Sequence, residues 1–309
     1  MADLTGSPQL SIVIPTKDRV AILHKTLSAV QFAIRELSAE IIIVNDGNEL
    51  LQINSERPGL TVILSGQRGV AAARNKGAAA ANGKWLLFLD DDILVSHENL
   101  VTSMKQFQAE PNKITGTNWI YPPELDLKLA GTRFGRYLMI RGYTTLKGWR
   151  KGETWDDHKI FACEHIASAY LPVSAQDFHR AGGYDEDFPH AGFEDMEFCK
   201  RLLKAGMMLQ IDPHNIVYHN EEDRLNAHQW LSRKRKAAET KRVGFEKGST
   251  EARILFSPIK EKIYRLLAPC YTVISRSVQA LPPWKWLDSI YFRCVDLLLG
   301  LNLYIGYRK

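Results

Sequence analysis

Asp90, Asp91 and Asp92 follow directly on the apolar run Trp85–Leu89. Adjacent carboxylates repel one another unless a cation neutralises them. A run that apolar reads as a buried parallel strand, and open α/β sheets bind ligands beyond the carboxyl ends of such strands. The three acids therefore stand where a ligand binds, and a divalent metal is the simplest remedy for their repulsion. The plainer alternative is a solvated turn, because Asp is common after strands. Asp46 closes a second apolar run, residues 41–44, as Asp90 closes the first. In the shared crevice it can accept a hydrogen bond from a base or ribose, or serve only as an Asp-Gly turn residue.

Three further groups could join that crevice. Glu194 and Asp195 open a helix after Gly192 and Phe193; the helix dipole favours acids in a first turn and is expected to lower the pKa of Asp195, giving a mild base for a proton removed late. His219 ends a strand at Tyr218-His219-Asn220. Beside carboxylates its imidazole suits Mn²⁺ or Mg²⁺; alone it is a structural hydrogen bonder. Arg74 lies with Asn75 in an alanine-rich helix, either as a solvated cation or as a phosphate holder near a metal.

The elements that must position these residues alternate strand and helix. Residues 10–15 read as a first strand, followed by a helix over about 18–37 with Ile22, Leu23, Leu27, Val30 and Ile34 at helical spacing. Strands follow at 41–44 and 60–64, then an alanine-rich helix at 70–81 closed by Asn82-Gly83, then the strand that leads into the acids. Ser96 caps a helix through Phe107, and 114–121 suggests another strand. The stretch 122–163 is less periodic and reads as loops and short elements over the site. A short helix at 174–180 stops at Gly182-Gly183; a second, from about Glu194 to Gly206, carries Phe198, Leu202 and Leu203 on its apolar face. Two short strands, 208–211 and 216–218, bring the chain to His219. The alternation implies a doubly wound, mostly parallel sheet flanked by helices.

At 309 residues with 45% hydrophobic content, the chain has enough apolar material for one large domain plus an appendage. Its four cysteines lack CxxC or finger spacing, which fits free thiols in a reducing, cytoplasmic compartment. The polar start, residues 1–9, lacks the pattern of a signal peptide. Charge divides the chain: residues 1–223 carry 23 Lys+Arg against 29 Asp+Glu, and residues 224–309 carry 17 against 6. The sequence thus predicts a domain over 1–223 and a basic, aromatic-rich amphipathic helical extension over 224–309, suited to an anionic membrane surface.

The segments Ser11-Ile-Val-Ile-Pro-Thr16, Val44-Asn-Asp-Gly47, Gly69-Val-Ala-Ala-Ala-Arg-Asn-Lys-Gly77, Phe88-Leu-Asp-Asp-Asp92, Gly182-Gly-Tyr-Asp-Glu-Asp-Phe188 and Gly192-Phe-Glu-Asp-Met-Glu197 occur in the order found in family 2 glycosyltransferases of the GT-A fold, and the chain resembles that family over residues 10–220. The resemblance implies an inverting, metal-assisted enzyme that moves a sugar from a nucleoside-diphosphate sugar, with UDP preferred, to a hydroxyl of a glycan or lipid-linked acceptor in cell-surface polysaccharide or glycolipid synthesis. It makes Asp90 and Asp92 the outer acids of a DxD motif, with Asp92 the direct metal ligand, Asp90 by the ribose or the metal, and His219 completing the site. Thr16, Arg19, Asp46, Arg74 and Asp91 fall to the donor nucleotide. Asp195 becomes the catalytic base and Glu194 its orienting neighbour. Many members of that family carry a further acid after DxD, where this chain has Ile93.

Two other classes compete. A sugar nucleotidyltransferase also needs a metal and a nucleotide crevice, but residues 14–18 hold no glycine-rich phosphate loop. A noncatalytic protein could bind nucleic acid or membrane through the basic tail; no nucleic-acid motif is present, and the tail's apolar content favours membrane. Arg293, Asp296 and Asp288 argue against a spanning helix and for amphipathic helices on the cytosolic face of a membrane, with helices packed back on the protein as the alternative.

Overall fold

A computed structural model describes residues 7–53, 59–67 and 69–308; most of the polar start, residues 1–6, lies outside them. The described chain divides into two compact units. One comprises 1–122, 145–187 and 194–221, and the other 123–144, 188–193 and 222–309. The second unit thus gathers residues 222–309 with two stretches from earlier in the chain.

The first unit is built on a sheet of order β3-β2-β1-β4-β8. Strands β1 (Leu10–Thr16), β2 (Ala39–Asn45), β3 (Leu60–Leu64) and β4 (Trp85–Leu89) are parallel, and β1, β2 and β4 are apolar runs buried almost throughout. Helix α1 (Val20–Ala33) is shorter than the periodicity predicts and buries Ile22, Leu23, Leu27 and Val30. Helix α2 (Val70–Ala80) packs close to the sheet because its contact face is nearly bare: a Cβ at Gly77 would lie 2.3 Å from Val13 Cγ1. After the acids come a two-residue strand, β5 (Ile93–Leu94), and α3 (His97–Ala109), whose cap Ser96 accepts from the Asn99 amide.

Strand β6 (Lys113–Ile120) belongs to a second sheet, of order β5-β9-β6, with β7 (Phe161–Ala162) also paired to β9 (Met208–His219). The two short strands expected at 208–218 are one strand carrying a bulge. Its register against β6 jumps from Thr117↔Asp212 to Asn118↔Ile216, so Pro213, which has no amide to donate, sits in the irregularity. Strand β8 (Tyr170–Ser174), which the sequence reading missed, runs antiparallel to β4 at the sheet edge, where Pro172 is tolerated. It leads into α7 (Ala175–Arg180), capped by Ser174, and the chain then turns at Gly182 and Gly183, both at positive φ. Helix α8 (Glu194–Lys204) buries Phe198, Cys199 and Leu202 in the core shared with Phe88, Phe178 and Tyr184; Leu203, expected on the apolar face, is exposed.

The stretch 122–163, read as loops and short elements, contains three short helices: α4 (Pro123–Gly131), α5 (Arg133–Arg141) and, in the first unit, α6 (Leu146–Trp149). Helices α4 and α5 join α9 (Ala227–Glu246), α10 (Pro258–Leu267), α11 (Tyr271–Gln279) and α12 (Asp288–Arg308) in the second unit. There Phe134 and Tyr137 of α5 bury their rings against Trp230 of α9, at centroid distances of 5.8 and 6.0 Å. The arginine-rich composition of this stretch concealed that aromatic stripe. Helix α12 lies close on α9, since a Cβ at Gly306 would come within 2.2 Å of the Arg235 carbonyl oxygen.

Candidate active site

The carboxyl ends of β1, β2 and β4 gather the donor-side candidates. Asp46 follows β2 and accepts from the Gly69 amide at 2.9 Å and from Lys17 Nζ at 3.2 Å, so its carboxylate ties the start of α2 to the end of β1. Asp91 is buried; Thr16 Oγ1 donates to it at 2.5 Å and Arg19 also bonds it. Arg19 reaches Asp92 too, at 2.9 Å. Thr16, Arg19, Asp91 and Asp92 are thus brought together, while Asp90 takes a different partner.

That partner is Arg74. Its guanidinium donates to Asp90 Oδ1 at 2.9 Å and to Glu194 Oε1 at 3.0 Å, and it lies over the Tyr184 ring at 5.2 Å. Arg74 is only 3% exposed, so the solvated cation is excluded. Burial disfavours its charge, but Asp90, Tyr184 and Glu194 outweigh that cost and raise its pKa still further. The next residue, Asn75, clamps the loop after α7 by accepting from the Tyr184 amide and donating to the Tyr184 carbonyl, both at 2.8 Å. One turn of α2 therefore fixes the end of β4, the 182–187 loop and the start of α8 against each other.

Asp195 departs from expectation. Burial first, and then the charge of neighbouring Glu194, push its pKa up to about 7, against the opposing pull of Arg74 and the Met196 amide. The helix dipole does favour the anion, but it acts on a half-buried group beside a second acid, and partial desolvation outweighs it.

The metal candidates are set by strand pairing. Ile93↔His219 is a register pair of β5 and β9, and the Asn220 amide donates to the Asp92 carbonyl at 2.7 Å, which brings His219 Nε2 to 3.3 Å from Asp92 Oδ1. Burial lowers the His219 pKa, yet Asp92 more than compensates and the net shift is upward. Glu221, which the sequence reading did not single out, completes a group with Asp92 and His219 whose ligand atoms all lie within 4.8 Å of one another. Its only sequence signal is a place two residues beyond His219 on the same strand end. Tyr121 donates to Glu221 at 2.5 Å, and Trp119 packs edge-on against His219 at 4.9 Å. Two carboxylates and an imidazole suit Mn²⁺ or Mg²⁺. His219 Nδ1 is buried without a hydrogen-bond partner, so the ring keeps a nitrogen unspent on the protein. The residues present fit a divalent cation; Asp90, proposed as a further ligand, lies outside this group and on Arg74.

With this geometry in hand, comparison with known proteins is decisive. The model of glycosyl transferase family 2 matches residues 11–164, and that of the galactosyltransferase N-terminal domain matches 158–223. The chain belongs to glycosyltransferase family 2. The chain is 24% identical over 230 residues to the pre-mycofactocin glycosyltransferase of Mycobacterium tuberculosis, an alignment that covers 73% of the chain and 45% of the relative. The chain thus corresponds to less than half of that relative's length. Among solved structures, a mannosyltransferase from Pyrobaculum calidifontis in complex with GDP-mannose and Mn²⁺ aligns with a TM-score of 0.56 at 14% identity, covering 99% of this chain and 89% of its own. GalNAc-T7 with UDP, GalNAc and Mn²⁺ aligns at 0.51 and 17% identity, covering 94% of this chain and 54% of its own. At these identities the likeness establishes the GT-A fold.

Proposed function

We propose that this glycosyltransferase moves a sugar, with inversion, from a nucleoside-diphosphate sugar to a hydroxyl of a glycan or lipid-linked acceptor, with Mn²⁺ or Mg²⁺ bound by Asp92, His219 and Glu221. The two solved relatives bind GDP-mannose or UDP together with Mn²⁺, which supports the donor class and the metal. UDP is the preferred nucleotide by the family resemblance around Asp46. Synthesis of a cell-surface polysaccharide or glycolipid at the cytosolic face of a membrane is the setting that suits such an acceptor.

The observation that carries this reading is the Arg74 fork, which joins the acid after β4 to the first acid of α8. In this mechanism Thr16, Arg19 and Asp46 hold the nucleotide at the strand ends. The bound cation supplies stabilisation of the charge that develops on the departing diphosphate. Arg74 and Glu194 hold the start of α8, and Asp195 takes the proton of the acceptor hydroxyl as that oxygen attacks the anomeric carbon from the face opposite the diphosphate. A carboxyl poised near neutral pH is well matched to that task. Holding the two substrates in line supplies the entropic part of the acceleration.

A panel of nucleotide sugars with Mn²⁺, scored by released nucleoside diphosphate and by protection against heat unfolding, identifies the donor. Asp195→Asn is expected to abolish transfer while nucleotide binding survives. A fully active Asp195→Asn enzyme removes Asp195 from the role of base.

A further inference from the structure

The second unit buries part of its most apolar helix and places other apolar residues outside. Residues 285–308 are long and apolar enough to cross a membrane by length and composition. Yet α12 spends that character within the unit: Val295, Leu298 and Leu301 are buried, Arg235 donates to Asn302 at 2.9 Å, and Tyr137 donates to Asp296 at 2.9 Å. A helix that carries a carboxylate bonded to its neighbours' polar groups is poorly suited to lie in hydrocarbon.

The segment 255–290, in contrast, carries eight of the 21 exposed large apolar side chains among the described residues. On α10, Ile259, Ile263 and Leu266 repeat at helical spacing and are 73%, 43% and 76% exposed, while Tyr264 turns inward so that its hydroxyl lies against Gly300 of α12. On α11, Val273 is 68% exposed, while Ser275 and Val278 are buried and the Tyr271 hydroxyl accepts from Asn302 of α12. Both short helices therefore rest on α12 by one face; on the other, α10 shows three apolar side chains and α11 shows Val273. The connection to α12 adds Trp284 and Trp286, 56% and 72% exposed and stacked at 5.6 Å.

Charge selects the partner. Lys260, Lys262, Arg265, Arg276 and Lys285 are exposed in the same segment. Its two acids are engaged elsewhere in the unit, Glu261 by Arg308 and Asp288 by Arg136 at 2.7 Å. What faces outward unpaired is apolar and cationic, with tryptophans of the kind that settle at a headgroup boundary, while Glu261 is partly exposed but neutralised by Arg308.

We infer that α10, α11 and the Trp284–Trp286 connection form a monotopic insertion surface for an anionic lipid bilayer, with α12 as the scaffold beneath it and not a span. The inference deepens the lipid-linked acceptor reading, but its test involves no sugar donor, so the two can fail separately.

The test is flotation of the full chain with vesicles of phosphatidylcholine alone or mixed with phosphatidylglycerol. Wild type is expected to float with the mixed vesicles and to be released by an alkaline carbonate wash. Ile259→Glu with Leu266→Glu, and separately Trp284→Ala with Trp286→Ala, are expected to abolish flotation with melting temperature and donor cleavage unchanged. Lys260→Gln with Arg265→Gln should lower partitioning about 25-fold, since each cation near an anionic surface contributes about fivefold. Equal flotation of wild type and both apolar variants overturns the proposal, as does wild type that floats with neither vesicle. Retention after the carbonate wash overturns it in favour of a spanning α12. Concentration-dependent dimers that the same substitutions abolish, without flotation, overturn it in favour of a face between two copies of the chain.

Discussion

Arg74→Met removes the cation that holds two acids. Arg74 and Glu194 side chains are 4% and 3% exposed, whereas Asp90 is 34% exposed. Removing one partner of a buried ion pair leaves an uncompensated charge and costs about 3–5 kcal/mol. Most of that cost falls on Glu194, because Asp90 can recover water. For domains in this size range each kcal/mol lowers Tm by roughly 2–4 °C, so the variant should melt about 6–20 °C below wild type. Adding Glu194→Gln should restore part of the loss, since a buried amide needs no counter-charge, and the coupling read from the double-mutant cycle should fall at about 0.5–3 kcal/mol. Arg74→Lys should sit between the two, because one ammonium cannot reproduce a planar fork. Calorimetry or circular dichroism melts read all five proteins, with Glu194→Gln alone closing the cycle. Arg74→Met melting with wild type, or a double variant no more stable than the single, refutes the bridge as a source of stability.

Transfer by the wild-type enzyme should rise with pH through about 7, because only the ionised Asp195 can accept a proton, and a flat profile across that region counts against the assignment. The stability sign is opposite: a carboxyl whose folded pKa exceeds its unfolded value stabilises most below the unfolded value. Tm should therefore decline as pH rises through about 7, and Asp195→Asn should flatten that decline. Tyr121→Phe deletes a hydrogen bond to Glu221 and should weaken Mn²⁺ binding roughly 10–100-fold by titration calorimetry; unchanged affinity means that Tyr121 does not position the metal ligands. Gly77→Ala forces a methyl group to within 2.3 Å of Val13 and 3.1 Å of Val44, and denaturant melts should show a loss of about 1–3 kcal/mol. A stable Gly77→Ala protein would mean that α2 can lift from the sheet at little cost.

The sequence exposed what is encoded locally. The buried strands of the main sheet are short apolar runs, and the acids at their ends mark the crevice without any knowledge of pairing. Strand β8 escaped notice because Pro172 breaks the strand pattern, and an edge position that tolerates it is a property of the sheet, not of the segment. Arg74 looked ambiguous for the same reason: its acid partners lie 16 and 120 residues away. Glu221 joins the metal candidates only through the β5–β9 pairing that also seats His219. The pKa of Asp195 moved opposite to the dipole argument because that argument sees only the helix, whereas burial and Glu194 belong to the folded surroundings.

Those surroundings also explain how two adjacent acids can serve different ends. Glu194 is buried and has its oxygen on Arg74, so its charge is matched and its position fixed. Asp195 accepts one hydrogen bond from the Met196 amide, and no cation bonds it among the described residues. It feels Arg74 only at a distance and carries the repulsion of Glu194 besides. Environments that push neighbouring titratable groups apart are how a protein separates a structural acid from a reactive one. Glu194→Gln should therefore weaken the packing around Arg74 and, by removing the repulsion, bring the pH midpoint of transfer down. Were Glu194 the base instead, the same substitution would abolish transfer at every pH, and that outcome would reverse the two assignments.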